Sequence, residues 1–288
     1  MRFSITATNF LKLNRANERM IHLGDCKEVL GNLLASGERA FDLVITSPPY
    51  NIGKSYEMPM SHADYVKHIK DRLRLVEKLI SPSGSLWLNL GYSKAFNGQH
   101  FPLAYHFWDT FDTMELRQEV IWYTRRGAAC RHYFSPRHET LLWFQKKGQT
   151  PFFDLEAVRV PHDQSKCTCG TRNGVKRCNA QGKNPTDVWP TDDAMTSLWD
   201  ISTVAAGSGR ASSERVPHPA QMPQELLARV IRACCPPGGR ILDPFAGSGS
   251  TLVAAKENGR EAVGVEIDPK YVCLATGRLA GISEEAVV

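Results

Sequence analysis

The chain has 288 residues and a formal net charge of +5 at pH 7. That length is enough for one large domain with its own hydrophobic core, or for a domain that carries a substantial insertion. No apolar run reaches the roughly 20 residues of a membrane-spanning helix, and the first residues lack a signal-peptide pattern, so we expect a cytoplasmic protein without a membrane partner. The modest positive charge is compatible with a polyanionic partner but does not require one.

Strands that alternate with helices predict an α/β fold with a mostly parallel sheet. In the first half of the chain, strands are predicted near 21–25, 41–45, 84–90, 119–123 and 138–145, and helices at 26–34, 64–80 and 101–114. From 146 to about 217 the hydrophobic periodicity is lost and polar residues dominate, which is typical of a functional insertion or of disorder. The α/β pattern then returns, with helices at 224–234 and 250–258 and strands at 240–243 and 261–266.

The predicted strand at 41–45 leads almost directly into the sequence Ser47-Pro48-Pro49-Tyr50. The two prolines cannot continue a central strand, because they lack backbone N–H groups and have a fixed φ. A stiff loop at the carboxyl end of a strand is therefore expected, which is where open α/β sheets place their ligands. The loop offers a hydroxyl, a carbonyl and an aromatic ring, but taken alone it is equally compatible with an ordinary proline turn.

A second loop lies between the predicted strand at 240–243 and the helix that follows. Gly247 and Gly249 permit positive φ and close approach of a ligand to the backbone. Glu266 ends the next strand, where an acid accepts hydrogen bonds from ribose hydroxyls. The spacing departs from the dinucleotide pattern Gly-x-Gly-x-x-Gly, and Asp243 with Pro244 suits a cationic cofactor without phosphates. A nucleoside-containing cofactor is therefore predicted.

Several segments, in this order, resemble the β class of amino-group DNA methyltransferases. Residues 47–50 correspond to the catalytic (Asp/Asn/Ser)-Pro-Pro-Tyr motif of that family, and residues 243–249 correspond to its S-adenosylmethionine loop. Residues 218–223 resemble the segment that closes over the methionine end of the cofactor, and Gly24-Asp25 resembles the acidic position near the adenine. Two further segments, Arg137-His-Glu139 and residues 183–189, also look like family segments.

The resemblance implies a Rossmann-like class I methyltransferase fold, in which a mostly parallel twisted sheet is flanked by helices. It divides the chain into a catalytic half at 1–145, a target-recognition insertion at 146–215 and a cofactor-binding half at 216–288. The implied cofactor is S-adenosylmethionine, and no metal is needed. The catalytic positions would be Ser47, Pro48, Pro49 and Tyr50, and the cofactor would contact Asp25, Gln221, Asp243, Phe245, Gly247, Ser248, Gly249 and Glu266.

The implied substrate is double-stranded DNA with a short specific target. Basic side chains contact phosphates, and the segment before the insertion interleaves arginines with aromatic residues. The candidate DNA contacts are Arg125, Arg126, Arg131, Lys176, Arg177 and Arg210. A homodimer and a cognate restriction endonuclease are further expected partners.

The implied reaction is methyl transfer to the exocyclic amine of adenine or cytosine. The lone pair of this nitrogen is delocalised into the ring, so acceptors at Ser47 Oγ and the Pro48 carbonyl would hold its hydrogens and favour a pyramidal nitrogen. Tyr50 would stack on the base, which must leave the duplex first. In the family, Ser at the first position is associated with cytosine N4 and Asp with adenine N6. The extension at 51–54 resembles stand-alone adenine enzymes, and it narrowly favours adenine.

The eight cysteines could be free thiols or, in part, zinc ligands. Five of the eight, Cys26, Cys130, Cys234, Cys235 and Cys273, lie in ordinary segments and are expected to be reduced thiols, as in a cytosolic protein. The other three cluster inside the insertion and, with one upstream histidine, supply enough ligands for zinc. Their spacing lacks the paired Cys-x-x-Cys pattern, so free thiols are the expected state. These residues are His162, Cys167, Cys169 and Cys178.

Three other functions are compatible with parts of the pattern. A related methyltransferase acting on RNA or on a protein amide faces the same chemical problem, but it would not need the long insertion. A nicotinamide-dependent oxidoreductase would have no use for the Ser-Pro-Pro-Tyr loop. A catalytically silent DNA-binding regulator is disfavoured, because every expected catalytic position is filled.

Overall fold

The computed structural model describes residues 20–54, 57–58, 60–94, 100–124, 130–132, 134–160, 170–172, 175–176, 179, 181–189, 204 and 214–281. Its strands are β1 (Ile21–Leu23), β2 (Phe41–Thr46), β3 (Ile80–Leu90), β4 (Tyr92–Lys94), β5 (His100–Pro102), β6 (Met114–Tyr123), β7 (His138–Lys146), β8 (Thr171–Arg172), β9 (Val175–Lys176), β10 (Val188–Trp189), β11 (Arg240–Asp243) and β12 (Glu261–Glu266). Its α-helices are α1 (Cys26–Ala35), α2 (His62–Leu79), α3 (Ala104–Phe107), α4 (Gln224–Cys234), α5 (Ser250–Glu257) and α6 (Pro269–Ala280).

Within this described part, eight strands form one sheet in the order β1-β12-β11-β2-β3-β7-β6-β10. The pairs from β1 to β3 are all parallel, and β7 runs antiparallel to both of its neighbours. β10 then pairs parallel with β6 at the edge. The mostly parallel sheet and the Rossmann-like class predicted from the sequence are confirmed. Since β12, β11, β2 and β3 are parallel neighbours, their carboxyl ends lie at one edge of the sheet.

Both faces of β2 are buried, which explains its nearly continuous apolar sequence. Leu43 and Ile45 belong to a core cluster that also contains buried residues of α4 and α5. Phe41 and Val44 belong to a second cluster on the other face, together with buried residues of α1 and α2. A strand covered on both sides is held firmly, so the loop that follows it starts from a fixed position.

The segment at 101–114 was predicted as one helix, and this prediction is wrong. It contains β5, the short helix α3 and a turn before β6 begins at Met114. Its buried residues do follow helical spacing, but the chain turns where Thr110 Oγ1 donates to the Phe107 carbonyl at 2.9 Å. Thr113 N donates to Glu77 Oε1 at 2.6 Å, so a side chain of α2 satisfies a backbone group that a helix would have used internally.

Part of the predicted target-recognition insertion contributes to the main body of the fold. Val158 lies in a short 3₁₀ helix, Glu156–Val158, and is buried in the core cluster with α4. β10 adds an edge strand to the central sheet. No helix among the described residues has the length and apolar character required to cross a lipid bilayer.

Candidate active site

A cavity of about 590 Å³ lies at the carboxyl ends of β2, β3, β11 and β12. Ser47, Pro48, Pro49 and Tyr50 line one side of it. The loop after β11, the end of β12 and the segment at 218–221 line the other side. The structure therefore brings together two motifs that are almost 200 residues apart in the sequence.

A buried hydrogen bond fixes the relative position of these two motifs. Thr46 Oγ1, at the end of β2, donates to Asp243 Oδ1, at the end of β11, at 2.6 Å. Phe245 N also donates to Asp243 Oδ1, at 3.1 Å. Both Thr46 and Asp243 are buried, and burial raises the pKa of the Asp243 carboxyl. Asp243 thus lines the cavity and also ties β2 to the glycine loop.

The glycine loop is closed by Glu266. Gly247 N donates to Glu266 Oε2 at 2.8 Å, and Asp268 N donates to Glu266 Oε1 at 2.8 Å. Burial raises the pKa of the Glu266 carboxyl. Gly247 has a φ of 51°, and a Cβ added there would lie only 3.0 Å from His218 Nε2. This position therefore requires glycine both for its conformation and for the space beside His218.

Gly249 differs from the other predicted cofactor residues. It does not belong to the lining of the cavity, unlike Phe245, Gly247 and Ser248. Its φ is 75°, and an added Cβ would lie 2.6 Å from Ala275 Cβ of α6. Gly249 thus permits α5 to begin against α6, and its contact with the cofactor stays a prediction.

Asp25 lies at the start of α1 and lines the cavity. One of its oxygens accepts a hydrogen bond from Lys27 N at 2.8 Å, which caps the helix. The other accepts from Arg72 of α2 at 2.6 Å in an ion pair. Burial disfavours the charged form of Asp25, but the hydrogen bonds from Arg72 and Lys27 outweigh it and lower the pKa of the carboxyl. Asp25 is therefore an ionised group at neutral pH.

Gln221 lines the cavity within a compact loop that its own side chain closes. Its Oε1 accepts a hydrogen bond from Val216 N at 3.1 Å, and its Nε2 donates to the Glu214 carbonyl at 2.9 Å. His218 of the same loop packs edge-on against Tyr271, with ring centroids 4.5 Å apart. Burial lowers the pKa of His218 to about 4, so its imidazole is neutral at pH 7.

The hydroxyl groups of the Ser-Pro-Pro-Tyr loop belong to a four-residue hydrogen-bond network. Ser47 Oγ lies 2.9 Å from Tyr50 Oη, and Tyr50 Oη donates to Glu139 Oε2 of β7 at 3.1 Å. Asn89 Nδ2 of β3 donates to Tyr50 Oη at 3.1 Å and to Glu139 Oε2 at 2.6 Å. Burial raises the pKa of Glu139 and that of Tyr50.

A single carboxylate holds the backbone that follows Tyr50. Glu57 Oε1 accepts from Tyr50 N at 2.9 Å and from Asn51 N at 3.0 Å. Glu57 Oε2 accepts from Ile52 N at 2.7 Å and from Lys54 N at 2.9 Å. Four backbone donors therefore converge on one side chain, which fixes the loop and allows Asn51 its unusual φ of 58°.

Two neighbours restrict the loop from behind. Tyr65 Oη of α2 donates to the Pro49 carbonyl at 2.8 Å. Gly91 lies beside the Tyr50 ring, and an added Cβ there would come within 2.8 Å of Tyr50 Cε2. The Tyr50 ring is thus held from its edge and from its hydroxyl.

Sequence reasoning assigned no role to Glu57, Asn89 or Glu139. Glu139 appeared only in a segment resembling the family, and the predicted sheet gave no reason to place it near Ser47. Because β7 is antiparallel to β3, the amino end of β7 lies at the edge where β2 and β3 end. An antiparallel assignment for the strand at 138–145 would have brought Glu139 to this site.

The predicted DNA contacts are only partly described. Arg131 lies in the described segment 130–132 and is exposed. Lys176 lies in β9, which forms a two-stranded hairpin with β8. The remaining candidates lie outside the described residues: Arg125, Arg126, Arg177, Arg210 and the four candidate zinc ligands His162, Cys167, Cys169 and Cys178.

The fold and the cavity define a class of protein, and comparison with known proteins identifies the family. Residues 41–277 match the N6/N4 methyltransferase family model, described as DNA methylase. The chain therefore belongs to the N6/N4 DNA methylase family. This membership confirms the resemblance found in the sequence and excludes the alternative of a nicotinamide-dependent oxidoreductase.

Individual relatives agree with this assignment. The type II methyltransferase M.ScaI of Streptomyces caespitosus is 41% identical over 261 residues, which span 90% of this chain and 81% of that protein. The type II methyltransferase M.BglII of Bacillus subtilis is 30% identical over 262 residues, spanning 90% of this chain and 69% of that protein. The crystal structure of the M1.HpyAVI–SAM complex has the same fold, with a TM-score of 0.60 at 18% identity, covering 90% of this chain and 98% of that one.

We expect Thr46→Val to lower the free energy of unfolding by about 1–3 kcal/mol at neutral pH, because the buried Asp243 carboxylate loses a donor. The Thr46 hydroxyl favours the charged form of Asp243, so the loss should be smaller in acid, where the carboxyl is protonated. Denaturant unfolding at several pH values measures both effects. Thr46→Ser retains the hydroxyl and is the matched control. A loss from Thr46→Val that does not shrink in acid would contradict the link to Asp243.

We expect Glu57→Gln to release the loop at 50–54, because a neutral amide is a weaker acceptor for four backbone donors than a carboxylate. Amide hydrogen exchange should become faster at Tyr50, Asn51, Ile52 and Lys54 and remain unchanged in the centre of α2. Glu119→Gln, at an exposed position of β6, is the control and should leave all of these rates unchanged. Unaltered exchange in Glu57→Gln would show that Glu57 does not hold the loop.

Proposed function

We propose that this chain methylates the exocyclic amino group of one base within a short specific sequence of duplex DNA. The observation that carries the proposal is the cavity shared by the Ser47–Tyr50 loop and the glycine loop, held together by the Thr46–Asp243 hydrogen bond. The methyl donor is S-adenosylmethionine, as the sequence predicted. It supplies a methyl group bound to a positively charged sulfur.

The shape and charge of the cavity fit this donor. Its volume of about 590 Å³ lies within the range of about 300–1,000 Å³ for small-molecule sites. The absence of a side chain at Gly247 leaves space that a Cβ would fill. Carboxylates at Asp25, Asp243 and Glu266 line the wall, which suits a cation and ribose hydroxyls. We propose that the donor is held by these acids together with Gln221, Phe245, Gly247 and Ser248.

We propose that the Ser-Pro-Pro-Tyr loop holds the target base beside the donor. Ser47 Oγ and the Pro48 carbonyl would accept hydrogen bonds from the amine, and the Tyr50 ring would stack on the base. Extruding a base costs a few kcal/mol, which stacking and hydrogen bonding in the pocket offset. The clamp from Glu57 and the bond from Tyr65 support this role, because they fix the loop before the base arrives.

Two bases are candidates for the target. The extension at 51–54 narrowly favoured adenine N6, whereas Ser47 in place of Asp favours cytosine N4. In the structure the backbone amides of this extension converge on Glu57, so the extension has a role that does not depend on the base. The extension at 51–54 is therefore weaker support for adenine, whereas the support that Ser47 gives to cytosine is unchanged. We therefore place cytosine N4 first and retain adenine N6 as the second candidate.

We also propose that the chain acts within a restriction–modification system, with a cognate endonuclease, and that it forms a homodimer. M.ScaI and M.BglII are both type II methyltransferases, which supports the first part. The catalytic, target-recognition and cofactor-binding roles of residues 1–145, 146–215 and 216–288 belong to the same proposal. Contacts of the exposed Arg131 and of Lys176 with phosphates would position the duplex.

Expression in a methylation-free bacterial host, followed by sequencing that detects modified bases, tests the base and the target together. We expect N4-methylcytosine at every copy of one short motif. N6-methyladenine at one motif would establish the second candidate instead. Unmodified DNA from cells that contain folded, cofactor-binding protein would refute the proposed function.

We expect Ser47→Ala and Tyr50→Ala to leave S-adenosylmethionine binding nearly unchanged and to remove most methyl transfer. The reason is that both side chains lie on the base side of the cavity rather than at the glycine loop. Calorimetric titration and a methylation assay with labelled donor measure the two properties. Tyr105→Ala is the control, since Tyr105 is 72% exposed on the surface. Full activity of Tyr50→Ala would remove the loop from the proposed site.

A further inference from the structure

Glu139 is an acidic residue at the centre of the Ser47–Tyr50 network that the proposed function does not yet use. It lies at the second position of β7 and lines the cavity, and its carboxylate accepts hydrogen bonds from Tyr50 Oη and Asn89 Nδ2. Asn89 is buried, with an exposed fraction of 1%. An acid held by two donors at the edge of a reaction cavity needs a role beyond packing.

When Glu139 is ionised, the state in which it can accept a proton, the hydrogen bonds of the network have one direction. An ionised carboxylate only accepts, so the single Tyr50 hydroxyl hydrogen points to Glu139. The Tyr50 oxygen is then an acceptor, for Asn89 Nδ2 at 3.1 Å and for the Ser47 hydroxyl at 2.9 Å. The alternative partner of the Tyr50 hydroxyl, the Asn89 carbonyl, is farther away at 3.4 Å. The hydroxyl hydrogen of Ser47 therefore points toward Tyr50. The lone pairs of Ser47 Oγ can then accept a hydrogen bond from a group in the cavity.

This direction matters because Ser47 is a neutral residue. A hydroxyl can donate as well as accept, and only an accepting Ser47 Oγ can hold an N–H of the target amine. An amine that gains a methyl group must also lose a proton, and Ser47 has no charge with which to retain it. An acid at the first motif position would meet both needs directly, whereas this chain has its carboxylate two hydrogen bonds away.

We propose that Glu139, acting through Tyr50, sets Ser47 Oγ as an acceptor and receives the proton that the amine loses. The inference rests on the proposed function. Ser47 Oγ takes the amine proton as the N–C bond forms and the bond from the methyl carbon to sulfur breaks. Ser47 passes its own proton to Tyr50 Oη, and Tyr50 passes its proton to Glu139 Oε2. The electron pair of the broken bond remains on sulfur, and Glu139 returns its proton to water when the product leaves.

The surroundings of Glu139 suit a proton acceptor. Burial raises the pKa of its carboxyl, while the hydrogen bonds from Asn89 and Tyr50 act in the opposite direction and limit the rise. A base with a raised pKa accepts a proton more readily near neutral pH. Tyr50 is the titratable group in direct contact, on the loop after β2.

The other strands around Glu139 present few groups that titrate. β3 presents Asn89, and β6 presents Trp122 opposite Glu139 in the strand register. His138 precedes Glu139 on β7, and its Nε2 lies 3.1 Å from the hydroxyl of Tyr92 on β4. His138 is thus the neighbouring side chain that requires a control variant.

Single-turnover methyl transfer over a range of pH tests the proposal. The wild-type rate should rise with pH as Glu139 ionises, because only the carboxylate accepts the proton. Glu139→Gln should lower the rate at neutral pH by about 100-fold or more, which is the range of general-base effects. It should also abolish the rise of the rate with pH, which we call the acid limb. Glu139→Asp retains a carboxylate and should retain the limb at a reduced rate. His138→Gln is the matched control and should also retain it.

Tyr50→Phe provides an independent arm, because it keeps the ring but breaks the relay. Tyr50→Phe should lose the acid limb. The double variant Tyr50→Phe/Glu139→Gln should be no slower than the slower of the two single variants, because both changes interrupt the same path of proton transfer. A rate for Glu139→Gln within threefold of wild type, an unchanged acid limb, or additive losses in the double variant would overturn the proposal. If the wild type methylates DNA and Glu139→Gln does so at the same rate, the proton relay alone is rejected. If the wild type does not methylate DNA, the proposed function is rejected.

Discussion

The buried hydrogen bond between Thr46 Oγ1 and Asp243 Oδ1 joins residues that are 197 positions apart in the chain. Because β2 and β11 are parallel neighbours, this bond lies at the edge where both strands end. Ser47 follows Thr46 directly, and the glycine loop follows Asp243. The bond therefore sets the distance between the loop proposed to hold the base and the loop proposed to hold the methyl donor. Methyl transfer depends on that distance, since a misplacement of about 1 Å is costly for a reaction that relies on positioning.

Carboxylates recur as the groups that hold the loops around the cavity. Asp243 accepts a hydrogen bond from Phe245 N, and Glu266 accepts one from Gly247 N. Glu57 accepts hydrogen bonds from four backbone amides, that of Tyr50 and three that follow it. A loop at the end of a strand has backbone donors without a partner in the sheet, and a buried donor without a partner is unfavourable. An ionised oxygen is a strong acceptor for such donors. Asp243 and Glu266 also line the cavity, so two of the acids that hold the loops belong to the acidic wall of the proposed donor site.

The sequence predicted the elements that carry strong local signals. The strand at 240–243, the helix at 224–234 and the strand at 261–266 have the predicted limits, because turns and glycines bound each of them. The helix predicted at 101–114 failed because tertiary contacts, such as Thr113 N with Glu77, replaced helical hydrogen bonds. Ser47, Tyr50, Gly247 and Glu266 were recognisable from motif spacing. Glu57 and Glu139 were not, because an isolated acid becomes a clamp or an acceptor only through the fold.

Liquid chromatography with mass spectrometry of nucleosides, after incubation of purified protein with unmethylated duplex DNA and methyl-labelled S-adenosylmethionine, tests the central claim most directly. The account predicts labelled N4-methylcytosine, with N6-methyladenine as the second candidate, and its loss in Ser47→Ala. Label in 5-methylcytosine, or label that persists at the wild-type level in Ser47→Ala, would contradict methyl transfer to an amino group held by the Ser-Pro-Pro-Tyr loop.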